Sequence, residues 1–328
     1  MYNSTKKLFN EIFVWDNLLT WGPPDYGDSN QINRYQKAGI NLVNLSVCLF
    51  GQPSAGFALK RIAALKGEIN KYDNMMLCKT VNDILNAKSA GKIALILNFQ
   101  ETLPFEDDIN LISVFYELGI RQALLVYNIK NCVGGGCADP TDRGLSHFGR
   151  RVIKKMNRVG MIIDGSHSSY RTTMEAMEIC DGPFIFSHSN AYAVFPHYRN
   201  IRDDQIKACA KTGGVIGING VGEFLDDIDA TSESMFRHLD YMVQLVGPEH
   251  VGIGLDFVLD YKKFWLSVMP ETDTWPTLPG KKRIITKFAA PEQLIEITEH
   301  MLKKGYKESD IKKILGENFS RVARQVWK

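Results

Sequence analysis

The sequence predicts an α/β chain folded as a (β/α)8 TIM-like barrel, with inserted helices and C-terminal closing helices, in a single domain over residues 1–328. Three observations carry this prediction. Short apolar runs bounded by polar turns recur along the chain, about eight in number, the count a closed parallel barrel needs. Amphipathic stretches with helical spacing lie between them. No GxGxxG or Walker loop favours the alternative, an open doubly wound sheet.

In order, the apolar runs are EIFVWD, INLVNLSVC, KIALILNF, QALLVYN, GMIID, PFIFS, GGVIGI and HVGIGLD. Their lengths and β-branched content suit strands buried on both faces. Among the helical stretches, DDINLISVFYELG has Ile109, Ile112, Val114 and Phe115 near helical spacing and a stop at Gly119. RRVIKKMNRVG, YRTTMEAMEIC, DDQIKACAKTGG and SESMFRHLDYMVQLVG follow the same pattern. An insertion from Gln52 to Gly91 contains FALKRIAALKGEINKYDNMM, read as helix, and is expected to cover one side of the barrel mouth. From Asp260 to Pro291 the chain is rich in Trp, Pro and Lys and reads as an irregular loop over the C-terminal face. PEQLIEITEHMLKKG and SDIKKILGENFSRVARQVW read as the closing helices.

Hydrophobic residues make up 45% and charged residues 23%, an ordinary globular composition. A net charge of +2 without a dense basic run asks for neither nucleic acid nor a membrane surface as partner. Asn10, Glu11 and Asp16 break the apolar stretch behind Lys6 and Lys7, so a signal core is not expected. The C-terminal ENFSRVARQVWK lacks the apolar tail of a lipid-anchor signal. The expected location is the cytoplasm. The six cysteines fit it: Cys48, Cys78, Cys180 and Cys209 sit in apolar segments as small buried residues. Cys132 and Cys137 flank a GGG loop without CxxC spacing and read as free thiols.

Barrel enzymes carry their chemistry at the C-terminal ends of strands. Three runs end there in metal-ligand types: His167 after GMIID, His188 after PFIFS and Asp256 after HVGIGL. Two imidazoles and a carboxylate at one mouth suit a three-ligand zinc site with an open position. A lone strand-end histidine would read as a loop hydrogen-bonder; two on successive strands favour the metal. Asp164 is expected to organise the turn that presents His167. His197 reads as a solvated loop residue, and His238, His250 and His300 carry no assigned role.

DGSHSS, FSHSNA, HYRN and GIGLDF, in this order and at these separations, resemble the membrane dipeptidase family of metallopeptidases. GLSHFGRRVIKKMNRVGMIID, FYELGIRQALLVYN and ILGENFSRV are also similar to family segments, so the likeness runs from about Phe13 to Val322. It implies a (β/α) barrel, a dipeptide substrate, zinc-assisted hydrolysis and a homodimer. By position, it implies that His167 and His188 bind the second zinc. Arg199 would grip the substrate's terminal carboxylate, and Asp256 would contact the bridging water and accept its proton.

The chain departs from the family at the first metal. In VWDNLLTW, Leu18 and Thr20 stand where the family has histidine and aspartate. In NFQET, Gln100 replaces the bridging glutamate, and the adjacent Glu101 is expected to point the other way. Tyr127 stands where a histidine steadies the reacting carbonyl, and its phenol can supply that hydrogen bond. Three readings stay open. One is a hydrolase of a dipeptide or similar small amide, with one zinc on His167, His188 and Asp256 and a weak oxygen from Gln100. Another is a barrel that has lost hydrolysis and binds a peptide or amino-acid derivative through Arg199 and Tyr127. The last is a tailoring enzyme that acts on a peptide-like metabolite without hydrolysing it.

Overall fold

The computed structural model describes residues 2–21, 30–48 and 54–328; Gln52, where the expected insertion begins, lies outside them. The strands are β1 (Trp15–Leu19), β2 (Leu42–Cys48), β3 (Met75–Leu77), β4 (Ile93–Phe99), β5 (Ile120–Leu124), β6 (Ile162–Asp164), β7 (Phe184–Ile185), β8 (Ile216–Asn219) and β9 (Val251–Gly254). Every pairing is parallel, in the order β7-β6-β5-β4-β2-β1-β9-β8. A parallel bridge from Phe186 to Ile216 joins the two ends. The predicted (β/α)8 barrel is the fold.

Each apolar run contributes a strand, but three local expectations are corrected. The first strand is Trp15–Leu19, later than EIFVWD suggests, because Glu11 still belongs to the helix Tyr2–Glu11 and Ile12 turns back on the Phe9 carbonyl. The insertion helix ends at Ile69, and Met75–Leu77 leaves it to pair beside β4 as β3. The polar Asn70–Asn74 segment forms the intervening turn, with Lys71 and Tyr72 amides bonded back to Glu68 and Ile69. The 260–291 segment is not wholly irregular: Asp260 accepts the Lys263 amide and caps a helix at Tyr261–Val268. Gly119 does stop its helix, at φ 114, a conformation that suits glycine.

Inside the barrel, residues two apart share a face. Leu42, Ala94, Ile96 and Ile162 belong to an apolar cluster with Trp15 and Phe319. Above the apolar positions lies a buried polar layer. Asn17 Nδ2 (3.2 Å) and Asn44 Nδ2 (2.9 Å) donate to Gln122 Oε1, and Gln122 Nε2 donates to Asp164 Oδ2 at 2.9 Å. Asn98 donates to Asn44 Oδ1 at 2.9 Å, and Ser46 donates to Asn98 Oδ1 at 3.2 Å. Five strands are thereby bonded through side chains beneath the mouth. Among the described residues, no helix is long and apolar enough to cross a membrane.

Candidate functional site

Two strand ends bring the histidines together. His167 Nε2 and His188 Nε2 lie 2.8 Å apart, both residues buried. The surrounding network fixes their tautomers. Asn128 donates its amide to the Thr274 carbonyl (2.9 Å), so its Oδ1 faces His167 Nδ1 at 2.7 Å and accepts that ring's proton. His167 Nε2 is therefore bare. The proton between the rings sits on His188 Nε2, and His188 Nδ1 accepts from the Ser187 hydroxyl at 2.6 Å. Burial, with Arg199 nearby, pushes both imidazoles well below the usual range, so both are neutral.

The expected turn organiser is at its post. Asp164 Oδ1 accepts the amides of Ser166 (2.9 Å) and Ser187 (3.1 Å), and Ser166 Oγ accepts the His188 amide at 3.1 Å. Tyr127 stacks on His167, with ring centroids 4.0 Å apart, and Trp275 meets both rings edge-on. Backbone strain collects here: Asn128, His167 and Asp256 all hold positive φ, at 51°, 68° and 56°.

Arg199 is buried and lies against Phe224, with Nη2 donating to the His188 carbonyl at 3.3 Å. His197 is not a solvated loop residue: it is fully buried, and its Nδ1 accepts the Arg199 amide at 3.1 Å. Arg199 Nε, the Tyr198 hydroxyl and the Ser168 hydroxyl are buried without a hydrogen-bond partner among the described residues. These three residues and His167 line one cavity of about 380 Å³. Asp256 receives an amide proton from Asn219 at 3.3 Å, and burial, opposed by Arg199, pushes its carboxyl up to about 7.

The donors do not complete a zinc shell. A catalytic zinc takes three protein ligands. Two imidazole nitrogens converge, but among the described residues no group of three His, Cys, Asp or Glu is close enough together to hold an ion. The expected set of His167, His188 and Asp256 is thus not gathered. A dication there would rest on two neutral nitrogens with the Arg199 cation acting on both. Leu18 and Gln100, the residues that the resemblance aligns with a histidine ligand and the bridging glutamate, are both buried. Glu101 Oε1 accepts from Asn131 at 3.1 Å, and its carboxylate also meets the Tyr127 backbone.

Sequence reasoning does not single out Asn128 or Trp275, and it misjudges His197. Asn128 borders the glycine-rich loop, a weak signal of its place. Trp275 sits in a segment without periodicity, so no register pointed to it.

A sequence model of the membrane dipeptidases, peptidase family M19, matches residues 30–265. An uncharacterized dipeptidase of Schizosaccharomyces pombe is 33% identical over 208 residues, 61% of this chain and 50% of that protein. Dipeptidase tcpJ of Claviceps purpurea is 28% identical over 258 residues, 77% of this chain and 56% of that protein. The chain therefore spans about half the length of the curated relatives it matches. A crystal structure of an amidohydrolase from Pseudomonas aeruginosa superposes with a TM-score of 0.88 at 29% identity, covering 98% of this chain and 99% of that one.

Proposed function

The chain belongs to the membrane dipeptidase family, peptidase family M19, and from that premise we propose that it is a hydrolase splitting the amide bond of a dipeptide or a similar small amide. One observation carries the reading: a buried arginine and a neutral histidine line the same cavity, and the histidine belongs to a converging pair. Arg199 takes the substrate's terminal carboxylate, for which its fork of donors is suited. The Arg199 backbone is held for this by His197, and the buried Tyr198 and Ser168 hydroxyls stand beside it. The amide to be cleaved then lies toward His167 and His188. Asp256, with its carboxyl near 7, accepts the proton of the attacking water. Tyr127 steadies the carbonyl as its oxygen gains charge.

Zinc is the metal the family resemblance suggests, and His167 and His188 are the donors this chain keeps for one. Because they do not complete a shell, proton handling falls to Asp256, which takes the water's proton and returns it to the departing amine, while Tyr127 donates a hydrogen bond to the carbonyl oxygen. The same incompleteness favours a second reading, a pocket that binds dipeptides without turning them over.

The test is a dipeptide panel assayed for both hydrolysis and binding. Removing a general base lowers kcat by about a hundredfold or more, the effect expected of Asp256→Asn. Arg199→Ala is expected to weaken dipeptide binding by about tenfold or more, the worth of charge-assisted hydrogen bonds. Binding without turnover in the wild type selects the second reading. No binding of any dipeptide overturns both.

A further inference from the structure

We propose that Arg202 makes this pocket selective for a dipeptide whose C-terminal residue carries a side-chain carboxylate. The inference rests on the dipeptide site proposed above. The cavity that begins at His167 and Arg199 runs outward past Tyr170, Tyr192 and Arg202. With the main-chain carboxylate on Arg199 and the scissile amide at the histidine pair, the C-terminal side chain is the group left to extend along it.

Arg202 is exposed at the rim of this cavity, between two partly exposed tyrosines. Its guanidinium lies 5.3 Å from the Tyr170 ring centroid and 5.7 Å from that of Tyr192. The Tyr170 ring is anchored, and the backbone of Tyr192 is fixed. The Tyr170 hydroxyl donates to Asp204 at 2.6 Å, and the Tyr192 amide donates to the Ile201 carbonyl at 2.8 Å. Asp204 thus braces the ring, and its other oxygen accepts the Gln205 amide. The Arg202 guanidinium itself has no hydrogen bond or ion pair among the described residues. Stacking occupies the faces of a guanidinium and leaves its N–H edges for a planar anion. A cation already held in place loses less freedom on binding, which raises affinity for the group it meets.

The acids on the facing wall, Asp139 and Asp142, make no bond to Arg202 and are engaged by other donors. Asp142 accepts from the Ser169 hydroxyl and from the Gly144 and Arg171 amides. Asp139 accepts the Gly136 amide. The anion acceptors in this cavity are therefore two guanidiniums, Arg199 inside and Arg202 at the mouth. A substrate with two carboxylates matches both.

Isothermal titration with Ala-Glu, Ala-Gln and Ala-Ala tests this on the wild type, Arg202→Ala and Arg202→Gln. The Glu and Gln ligands differ little in shape, so their affinity ratio isolates the charge. The expected ratio is about tenfold in favour of Ala-Glu in the wild type, and near one in both variants. Arg202→Gln keeps a polar stem between the tyrosines, so agreement of the two variants excludes a collapse of the ring pair. Equal binding of Ala-Glu and Ala-Gln in the wild type, or a preference that survives in both variants, overturns the proposal and leaves the dipeptide site standing. Failure of all three ligands to bind overturns the dipeptide site and the proposal with it.

Discussion

At the residue scale, the histidine pair is set by its neighbours. Asn128 fixes the proton of His167, Ser187 fixes that of His188, and the remaining nitrogens meet through one shared proton. Such an arrangement is satisfied without an ion. Protein dialysed against zinc and then against metal-free buffer is expected to keep well under one ion per chain by elemental analysis, with His188→Ala unchanged. One tightly held ion lost in that variant would mean that the pair recruits a third donor. Two would mean that residues other than Leu18, Thr20 and Gln100 supply the missing ligands. A second histidine reports on acid stability. His238 is buried, its Nδ1 accepts the Ala191 amide at 3.1 Å, and burial pushes its pKa down to about 3. Below the ordinary histidine value the unfolded chain takes up a proton that the folded chain refuses. Its contribution is therefore present above the unfolded pKa of about 6.5 and lost as pH falls toward 3. His238→Asn offers an oxygen to the same amide without that proton. Between pH 6 and 4, urea titrations should show the wild type losing up to about 1.4 kcal/mol per pH unit relative to the variant. Parallel losses in both proteins would count against the assignment.

At the element scale, the site depends on how closely β8 and β9 approach the end of β7. A Cβ at Gly217 or Gly254 would collide with the Ser187 carbonyl, and one at Gly254 would also press on His188 at 3.2 Å. Backbone cannot retreat as a flexible side chain does. Gly254→Ala is therefore expected to cost about 3 kcal/mol in denaturant unfolding, the upper range for overpacking, and to weaken dipeptide binding in the refolded protein. Full stability with intact binding would show that the strand end yields. The strands were legible because barrel strands buried on both faces must be continuous apolar runs. β3 was not, because it is only three residues long and follows a 15-residue helix across a short turn, too few residues to show an alternation of its own. In the site, His167 and His188 were legible as metal-ligand types just past strand ends. The failure to gather Asp256 with them was not. Its backbone takes a positive φ beyond β9, and its carboxylate receives Asn219 from the end of the neighbouring strand β8. The role of Trp275 comes from contacts with Tyr127 and His167 across the mouth, and the burial of His197 from packing on Phe224, neither of which a local pattern encodes.

At the scale of the whole molecule, the polar layer connects the barrel wall to its chemistry. Gln122 accepts from Asn17 and Asn44 and donates to Asp164, and Asp164 holds the Ser166 and Ser187 amides that shape both histidine turns. Most barrel interiors fill these positions with Val, Ile or Leu. Here carboxamides do so, and each is satisfied only while the others are present. Gln122→Leu keeps the approximate volume but takes the acceptor from Asn17 Nδ2, leaves Asn44 Nδ2 only its bond to Asn17 Oδ1, and removes one bond from a buried carboxylate. At about 1–3 kcal/mol for each group left unpaired, the loss should reach on the order of 3 kcal/mol or more. The site should feel it as well, because Asp164 loses the donor that holds its second oxygen while its first still carries the Ser187 turn. The expected result is a lower urea midpoint together with weaker dipeptide binding, measured under conditions where the variant is fully folded. A lower midpoint with unchanged binding would confine Gln122 to the barrel wall. An unchanged midpoint would mean that the layer re-pairs around leucine, and that the histidine turns do not depend on it.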